Sequence, residues 1–545
     1  MGYFLVWIES LTACLLLLAL VTACSARLSR RWLGILLSSL AASLPFLAGL
    51  PLSVMGAILM WKWPIHSWLF YFMFPWTVAY VVGAVIVLRR GPRVRADVPP
   101  ASAWPRARLA IATSVAILAC AMTFWNLNLA AENKLAAIRA EAGALALSVA
   151  PSRPPDSENA ALLYEKASEL IGRNTKIPQY LDDADAEKLR ASLSAYQPAA
   201  LKVFSRADDE ELQAFLREHE PALRLLRRAA AMPGCYFERG YPIPNSKELM
   251  RGVDDMPQGA RLLDLDARVQ AARGQAGPAL EDVSAIFGMA RHAGETAALI
   301  HALVAIAIGS RGHSTLEAVL ADCEPSEADL AGLPPDEVFS YWRLFQRSMR
   351  MERAFGLSMF ADQPSLAVGA PFTPKGLFML KELSGYRSLM AELDKALALP
   401  CHEALRRIKR LEAESLGGRW GVFQAELYPA LETNVPAAAK VEAMHRLDNL
   451  ALAATAYRIK HGAFPVRPED LVPEFLMAVP KDPFDGEPIR MKATEEGILF
   501  YSIGPDLKDD GGAELKYNGD IRSWIGDLTF RLAMPAGQSP PNGAR

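Results

Sequence analysis

The chain has 545 residues, with 58 lysines and arginines against 60 aspartates and glutamates, so its formal net charge is −2. Residues 1–130 hold 10 of the bases and 2 of the acids, which leaves the remainder with 48 bases, 58 acids and a net charge of −10. This acidic balance excludes nucleic acid as a partner, because phosphate binding requires clustered bases. No C-x-x-C pair occurs among the 6 cysteines, which excludes the usual structural zinc and thioredoxin-like motifs.

Four long apolar runs occupy the first 130 residues. Each run is long enough to cross a hydrocarbon core of about 30 Å as a helix. The runs are Tyr3–Ala23, Leu33–Leu59, Trp68–Leu88 and Leu109–Ala130. We therefore predict that residues 1–130 form a four-helix transmembrane region whose partner is the lipid bilayer.

The basic residues between these runs predict their orientation. Nine arginines lie in the first and third connections, whereas the second connection contains only Lys62. Because basic loops stay in the cytoplasm, both arginine-rich connections should be cytoplasmic. The sequence therefore predicts a multi-pass protein of the bacterial inner membrane, with residues after about 130 in the periplasm.

A lipid-modified N-terminus is the alternative, since Leu20-Val21-Thr22-Ala23-Cys24 resembles a bacterial lipobox. A secretory signal begins with a positively charged region, and residues 1–10 contain no base. The charge pattern therefore favours a spanning helix that contains Cys24.

Residues 131–155 are predicted as a helical extension of the fourth span and a proline-rich linker. Apolar residues recur at helical spacing from Leu135 to Val149. Pro151, Pro154 and Pro155 then end the helix.

Residues 156–436 are predicted as an α-helical extracytoplasmic domain, because apolar residues recur every three or four positions without strand-like alternation. Asp208 with Glu211 predicts a capped helix start, with a bend at Pro221. The run Gly274–Pro278 predicts the turn of a helical hairpin between a helix ending at Arg273 and one starting at Ala279. The proline-rich segment Asp362–Lys375 is interpreted as a connector.

The last part of the chain predicts a small α+β module over residues 437–535, followed by a disordered tail over residues 536–545. A helix over Ala437–His461 carries one apolar stripe and ends at Gly462. Three strands are then predicted to form a short antiparallel sheet against this helix. They are Ile489–Ala493, Ile498–Ile503 and Leu528–Leu532. The fold class is therefore mainly α, with transmembrane helices and one small sheet.

The order of motifs in this module resembles the C-terminal globular part of type II secretion major (G-type) pseudopilins. The matching runs are Gly462-Ala463-Phe464-Pro465, Val479-Pro480-Lys481-Asp482-Pro483-Phe484 and Tyr501-Ser502-Ile503-Gly504-Pro505-Asp506. The leader and single apolar helix of pseudopilins do not precede the module, so the resemblance does not imply filament assembly. The whole layout also resembles large uncharacterised bacterial membrane-anchored proteins.

The pseudopilin resemblance implies a calcium site in the loop after the last hairpin. The ligands that it implies are Asp506, Asp510 and Asp520, with Asp509 and Asn518 as further candidates. Hard carboxylate oxygens suit Ca²⁺, which takes six to eight oxygen ligands. The alternative is a solvated acidic loop that is held by turns in which aspartate side chains bond to the backbone.

No catalytic motif appears in the sequence: it lacks H-E-x-x-H, the P-loop, G-x-S-x-G and G-x-G-x-x-G. His292 and Glu295 lie three residues apart, a spacing that places them on one helix face, and His292 is interpreted as a satisfied or exposed residue rather than a metal ligand. We therefore expect a membrane-anchored extracytoplasmic interaction or scaffold protein that binds other envelope proteins. The alternatives are a cell-envelope enzyme with its active site in the helical domain, and a transporter, for which Glu9 is the only acidic residue inside a span.

Overall fold

The structure is a computed structural model, and it describes residues 133, 135–173, 175–180, 203–237, 252–333, 335–361, 374–414, 422–517 and 524–534. The four predicted spans lie outside the described residues, as do most of the predicted connector and the C-terminal tail. Within the described ranges, no helix combines the length and hydropathy that crossing a membrane requires.

Helices dominate the described part of the chain, which confirms the prediction of a mainly α protein. The first helix, α1, covers residues 135–149 and stops before Pro151, as predicted. The others are α2 (Ala161–Ile171), α3 (Glu210–Ala230), α4 (Met256–Ala272), α5 (Ala276–Glu295), α6 (Leu299–Asp322), α7 (Glu327–Ala331), α8 (Tyr341–Ala361), α9 (Pro374–Leu397), α10 (Cys401–Glu414) and α11 (Val422–His461).

The predicted three-stranded antiparallel sheet is confirmed, with Gly497–Ser502 (β4) in the centre between Arg490–Thr494 (β3) and Leu528–Ala533 (β7). Tyr501 pairs with Arg490 on one side, and Phe500 pairs with Phe530 on the other. The strands are β1 (Gln179–Tyr180), β2 (Val203–Phe204), β3 (Arg490–Thr494), β4 (Gly497–Ser502), β5 (Lys516–Tyr517), β6 (Trp524–Ile525) and β7 (Leu528–Ala533). The parallel pair β1–β2 interrupts a region predicted as helical throughout, since two-residue strands leave no alternating pattern in a sequence.

Helix α3 begins one residue later than its capping pattern predicts. The carboxylate of Asp209 accepts hydrogen bonds from the backbone N–H groups of Glu211 and Leu212, at 3.0 and 3.2 Å. The predicted cap, Asp208, instead forms an ion pair with Arg206 at 3.0 Å. The helix then continues through Pro221 to Ala230.

The predicted helical hairpin is confirmed in the contact between α4 and α5. Gly274 sits in the turn with φ +73°, a conformation that favours glycine. Helix α5 starts at Ala276 rather than at Ala279, so it includes Gly277 and Pro278 in its first turn. Proline is well tolerated there, because the first N–H groups of a helix have no partner within it.

Helix α11 is longer than predicted, since it starts at Val422 rather than Ala437. The helix includes Pro429 and Pro436, because a helix can continue through a proline at the loss of one hydrogen bond. Its end is as predicted: Gly462 has φ +75° and its N–H donates to the carbonyl of Arg458.

The chain divides into two compact units, one of Met1–Arg139 with Met359–Leu383 and one of Ala140–Ser358 with Ser384–Arg545. In the first unit, the guanidinium of Arg139 donates to the carbonyl of Ala361 at 2.9 Å. The second unit holds both the helices α2–α7 and the C-terminal sheet. Within it, α6 contacts α11 and β7, and α11 packs on β4 and β7.

One buried ion-pair network joins three helices of the second unit. Arg227 of α3 donates to Asp266 of α4 and to Asp282 of α5, each at 2.6 Å. Asp282 is fully buried. Burial raises the pKa of its carboxyl well above the ordinary value, although Arg227 acts in the opposite direction.

A second buried pair ties α6 to α11. The Nδ1 atom of His313 lies 2.6 Å from Oδ1 of Asp448, and both side chains are almost fully buried. The His313 ring also contacts the ring of Phe530 on β7, edge to face, with centroids 5.4 Å apart. Burial opposes the charged imidazolium, but the negative charges of Asp448 and Glu317 outweigh this effect and the charge of Lys440, so the pKa of His313 is raised.

We predict that this pair makes stability depend on pH. A histidine whose pKa is raised by folding stabilises the fold fully below its unfolded pKa of about 6.5, and this contribution disappears as pH rises through the folded pKa. The free energy of unfolding should therefore fall above about pH 6.5 in the wild type, and this slope should be weaker in His313→Gln. Denaturant unfolding of the full chain between pH 5.5 and 9 measures the slope of the free energy of unfolding in both proteins.

The matched control is His461→Gln, which removes an exposed imidazole from the end of α11. It should keep the wild-type slope. Equal pH slopes in wild type and His313→Gln would contradict the proposed contribution of His313.

Candidate functional site

A cleft of about 950 Å³ opens in the second unit. It lies between the start of α8, the start of α10, the middle of α11 and a segment that we call the tail turn, residues 478–487. Its volume is within the range of about 300–1,000 Å³ that is typical of ligand pockets. The cleft is therefore the main candidate binding site in the described part of the chain.

The lining of the cleft is acidic, with seven carboxylates against three basic side chains. The acids are Asp336, Glu337, Glu403, Glu442, Asp482, Asp485 and Glu487, and the bases are Arg343, Arg446 and Lys481. His402 and His445 also line it. An excess of carboxylates in a concave site attracts positive charge.

The carboxylate of Glu442, on α11, is held by groups from several segments. Its Oε2 accepts from the hydroxyl of Ser340 at 3.0 Å and from the backbone N–H of Trp342 at 3.1 Å. Its Oε1 accepts from Arg446 at 2.7 and 3.1 Å, and Arg446 also donates to the carbonyl of Lys481. Burial disfavours the charge, but Arg446, His445 and the N–H of Trp342 lower the pKa of Glu442 below its ordinary value.

The tail turn is built around Asp482, which is almost fully buried. One carboxylate oxygen accepts from the N–H of Phe484 and the hydroxyl of Ser502, and the other accepts from the N–H of Ile503, each at 2.9 Å. These bonds attach the turn to the end of β4. Burial raises the pKa of Asp482, although the same hydrogen bonds act against the rise.

Arg490 of β3 is shared by three carboxylates. Its guanidinium lies 2.6 Å from Asp485, 2.9 Å from Asp509 and 3.4 Å from Asp482. A single positive charge cannot neutralise three negative ones, so this side of the cleft keeps a negative charge.

The tail turn meets α10 at a glycine. Gly486 has φ +87°, and a Cβ atom there would lie 2.7 Å from the ring of His402. Both the backbone conformation and the close approach therefore require glycine at this position. The contact brings the tail turn against the N-terminal end of α10.

A smaller cavity of about 320 Å³ shares Asp336, Phe339, His445 and Asn449 with the cleft. Nε2 of His445 lies 2.8 Å from the carbonyl of Asp336, and Asn449 both donates to that carbonyl and accepts from the N–H of Asp336. These bonds fix the segment before α8 on the surface of α11.

The predicted calcium loop is described in part. The carboxylate of Asp506 accepts from the N–H groups of Lys508 and Gly526, at 3.2 and 3.4 Å, while Asp520 lies outside the described residues. The N–H of Asp510 donates to the buried Asp527 at 3.3 Å. Among the described residues, no three His, Cys, Asp or Glu side chains are arranged to hold a metal ion. The calcium site stays a prediction.

His292 is buried in the second unit, Glu295 is partly buried, and neither residue lines the cleft. Nδ1 of His292 lies 2.8 Å from the hydroxyl of Tyr164, and its Nε2 lies 3.0 Å from the carbonyl of Met232. Glu295 accepts from the N–H of Cys235 at 2.7 Å. Burial lowers the pKa of His292 to about 4, so the ring is neutral at physiological pH.

Sequence reasoning missed the cleft. Asp482 belongs to one of the motifs of the C-terminal module, whereas Trp342 gives no signal in the sequence. A charged residue inside the apolar pattern of α11 is the only feature that pointed to Glu442, because buried carboxylates are rare unless they are paired.

No protein-family model, no curated protein and no solved structure matches this chain. The resemblance of the C-terminal module to pseudopilins is therefore carried by the sequence motifs alone.

We predict that calcium stabilises the C-terminal loop. A ligand present at 100 times its Kd adds about 2.7 kcal/mol to the stability of the folded state. The melting temperature of the full chain should therefore rise when a chelator is replaced by millimolar calcium. The double variant Asp506→Ala, Asp520→Ala should lose this rise.

The matched control is Asp208→Ala, which removes an exposed carboxylate from the helical region. It should keep the calcium-dependent rise. An unchanged wild-type melting temperature at millimolar calcium would rule out the metal site and leave a loop held by its own hydrogen bonds.

Proposed function

We propose that the protein is a membrane-anchored extracytoplasmic interaction or scaffold protein that binds another envelope protein in the cleft. The observation that carries the proposal is the acidic cleft of about 950 Å³ between the helical region and the tail turn. The four apolar runs of residues 1–130 support the membrane anchor.

The way in which the cleft is assembled supports a binding role. Its lining residues come from the start of α8, the start of α10, α11 and the tail turn, and all of them belong to the second unit. The bonds from Glu442 to Trp342, and from Arg446 to Lys481, hold three of these segments together. A preorganised site loses less conformational entropy on binding than a flexible one.

The partners of the buried carboxylates favour binding over catalysis. Glu442 and Asp482 each accept several hydrogen bonds from the protein itself. Such contacts occupy the oxygen atoms that a general acid or base would offer to a substrate. The exposed charges at the rim, such as Glu403 and Glu487, remain accessible to a partner.

The binding role predicts cross-linking at the rim of the cleft. A photo-reactive phenylalanine analogue in place of Val338 or Met477, both about 70% exposed, should give discrete adducts with one envelope protein in intact cells. The same analogue in place of Glu218, an exposed residue of α3 that does not line the cleft, is the control. Mass spectrometry of the adducts identifies the partner.

Equal yields of the same adducts at Glu218 and at the two cleft positions would contradict specific binding in the cleft. An absence of adducts at both cleft positions would contradict it as well.

The membrane topology gives a separate prediction. Alkaline phosphatase becomes active only where its disulfides form, which happens in the periplasm and not in the cytoplasm. A fusion after Ala150 should therefore be active and a fusion after Pro100 inactive. The reverse pattern, or equal activity in both fusions, would refute the proposed orientation.

A further inference from the structure

The charge on the tail-turn side of the cleft is not balanced within the protein. Asp482 and Asp485 share Arg490 with Asp509, which lies outside the cleft. Glu487 is exposed on the same turn, and Glu403 is exposed on α10 across from it, with half of its side chain accessible. Lys481 offsets only one of these charges. The cleft therefore suits a ligand that carries several positive charges.

The rim of the cleft carries exposed apolar side chains. Val338 is 73% exposed and Met477 is 72% exposed. The two segments that carry them are joined, because the carboxylate of Glu337 accepts from the N–H of Met477 at 3.0 Å. Glu337 and Ala478, their chain neighbours, line the cleft. A partner that covers these two side chains removes their apolar surface from water.

One residue that lines the cleft carries a buried hydrogen-bond donor without an acceptor. Trp342 lines the cleft and is only 5% exposed, and its indole Nε1–H has no partner among the described residues. A buried donor without an acceptor is costly, so an acceptor that arrives with a ligand is favoured. An extended peptide offers a carbonyl group at every residue, whereas a polyamine or a metal ion offers none.

We propose that the cleft binds an extended basic segment of a partner polypeptide. Lysine or arginine side chains of the segment face the carboxylates of the tail turn and Glu403. Its apolar side chains rest on Val338 and Met477, and one of its carbonyls accepts from the indole of Trp342 after a small local adjustment. The proposal rests on the proposed function, since it specifies the chemistry of the partner.

The test uses the full-length protein in detergent and a fluorescein-labelled peptide of sequence Lys-Leu-Lys-Ala-Lys-Leu-Lys-Ala. Fluorescence anisotropy should show binding that weakens as sodium chloride is raised from 50 to 500 mM, since salt screens exposed charges. The same peptide with glutamate in place of lysine should not bind.

Two variants locate the binding. Glu403→Gln with Glu487→Gln removes two exposed charges of the cleft and should weaken binding about three- to tenfold. Trp342→Phe removes the indole donor and should weaken it by a similar factor. The matched control, Glu169→Gln with Glu218→Gln, removes two exposed charges that do not line the cleft and should bind as the wild type. Melting temperatures of all variants show whether they fold.

Equal binding of the lysine and glutamate peptides would overturn the proposal, and so would unchanged affinity in the folded Glu403→Gln, Glu487→Gln variant. Displacement of the peptide by micromolar spermidine would overturn it in favour of a small cation. If cleft positions cross-link to a partner but the lysine peptide does not bind, the proposed function stands and the basic segment is wrong. If neither occurs, both fail.

Discussion

The cleft depends on how one buried carboxylate is satisfied. Glu442 is 2% exposed, and a charge at that depth is stable only when it is paired and fully hydrogen-bonded. Its bonds come from the start of α8 and from Arg446 one turn further along α11. Because Arg446 also donates to the carbonyl of Lys481, the tail turn is fixed by the same network. Loss of Glu442 would therefore leave Arg446 unpaired and release two sides of the cleft.

Charge is balanced at Glu442 and unbalanced at the tail turn. Glu442 has a dedicated cation in Arg446, and its pKa lies below the ordinary value as a result. Asp482, in contrast, shares Arg490 with two other carboxylates, and its pKa is raised, mainly by burial. The same contrast appears far from the cleft, where Asp266 and Asp282 share Arg227. The balanced pair stabilises the fold, whereas the surplus negative charge at the tail turn attracts a positively charged ligand to its exposed carboxylate, Glu487.

Local patterns in the sequence predicted the features that depend on neighbouring residues. The strand-like runs of β3, β4 and β7 and the glycine that ends α11 were found in this way. The start of α11 was not predicted correctly, because a proline such as Pro436 is compatible with both a helix boundary and a continuing helix. The cleft was beyond such patterns, since Trp342 and Glu442 are 100 residues apart in the chain and meet only through the packing of α8 on α11.

The cleft and the predicted calcium loop are coupled electrostatically through Arg490. Its Nε–H donates to Asp509 in the predicted calcium loop, while its terminal nitrogens donate to Asp482 and Asp485 at the cleft. A cation that bound the carboxylate of Asp509 would leave Arg490 paired with only Asp482 and Asp485. The tail-turn side of the cleft would then be less negative. Binding energies linked in this way are reciprocal. A cation in the loop and a basic segment in the cleft would therefore weaken each other's binding, because Arg490 balances the carboxylates of both sites.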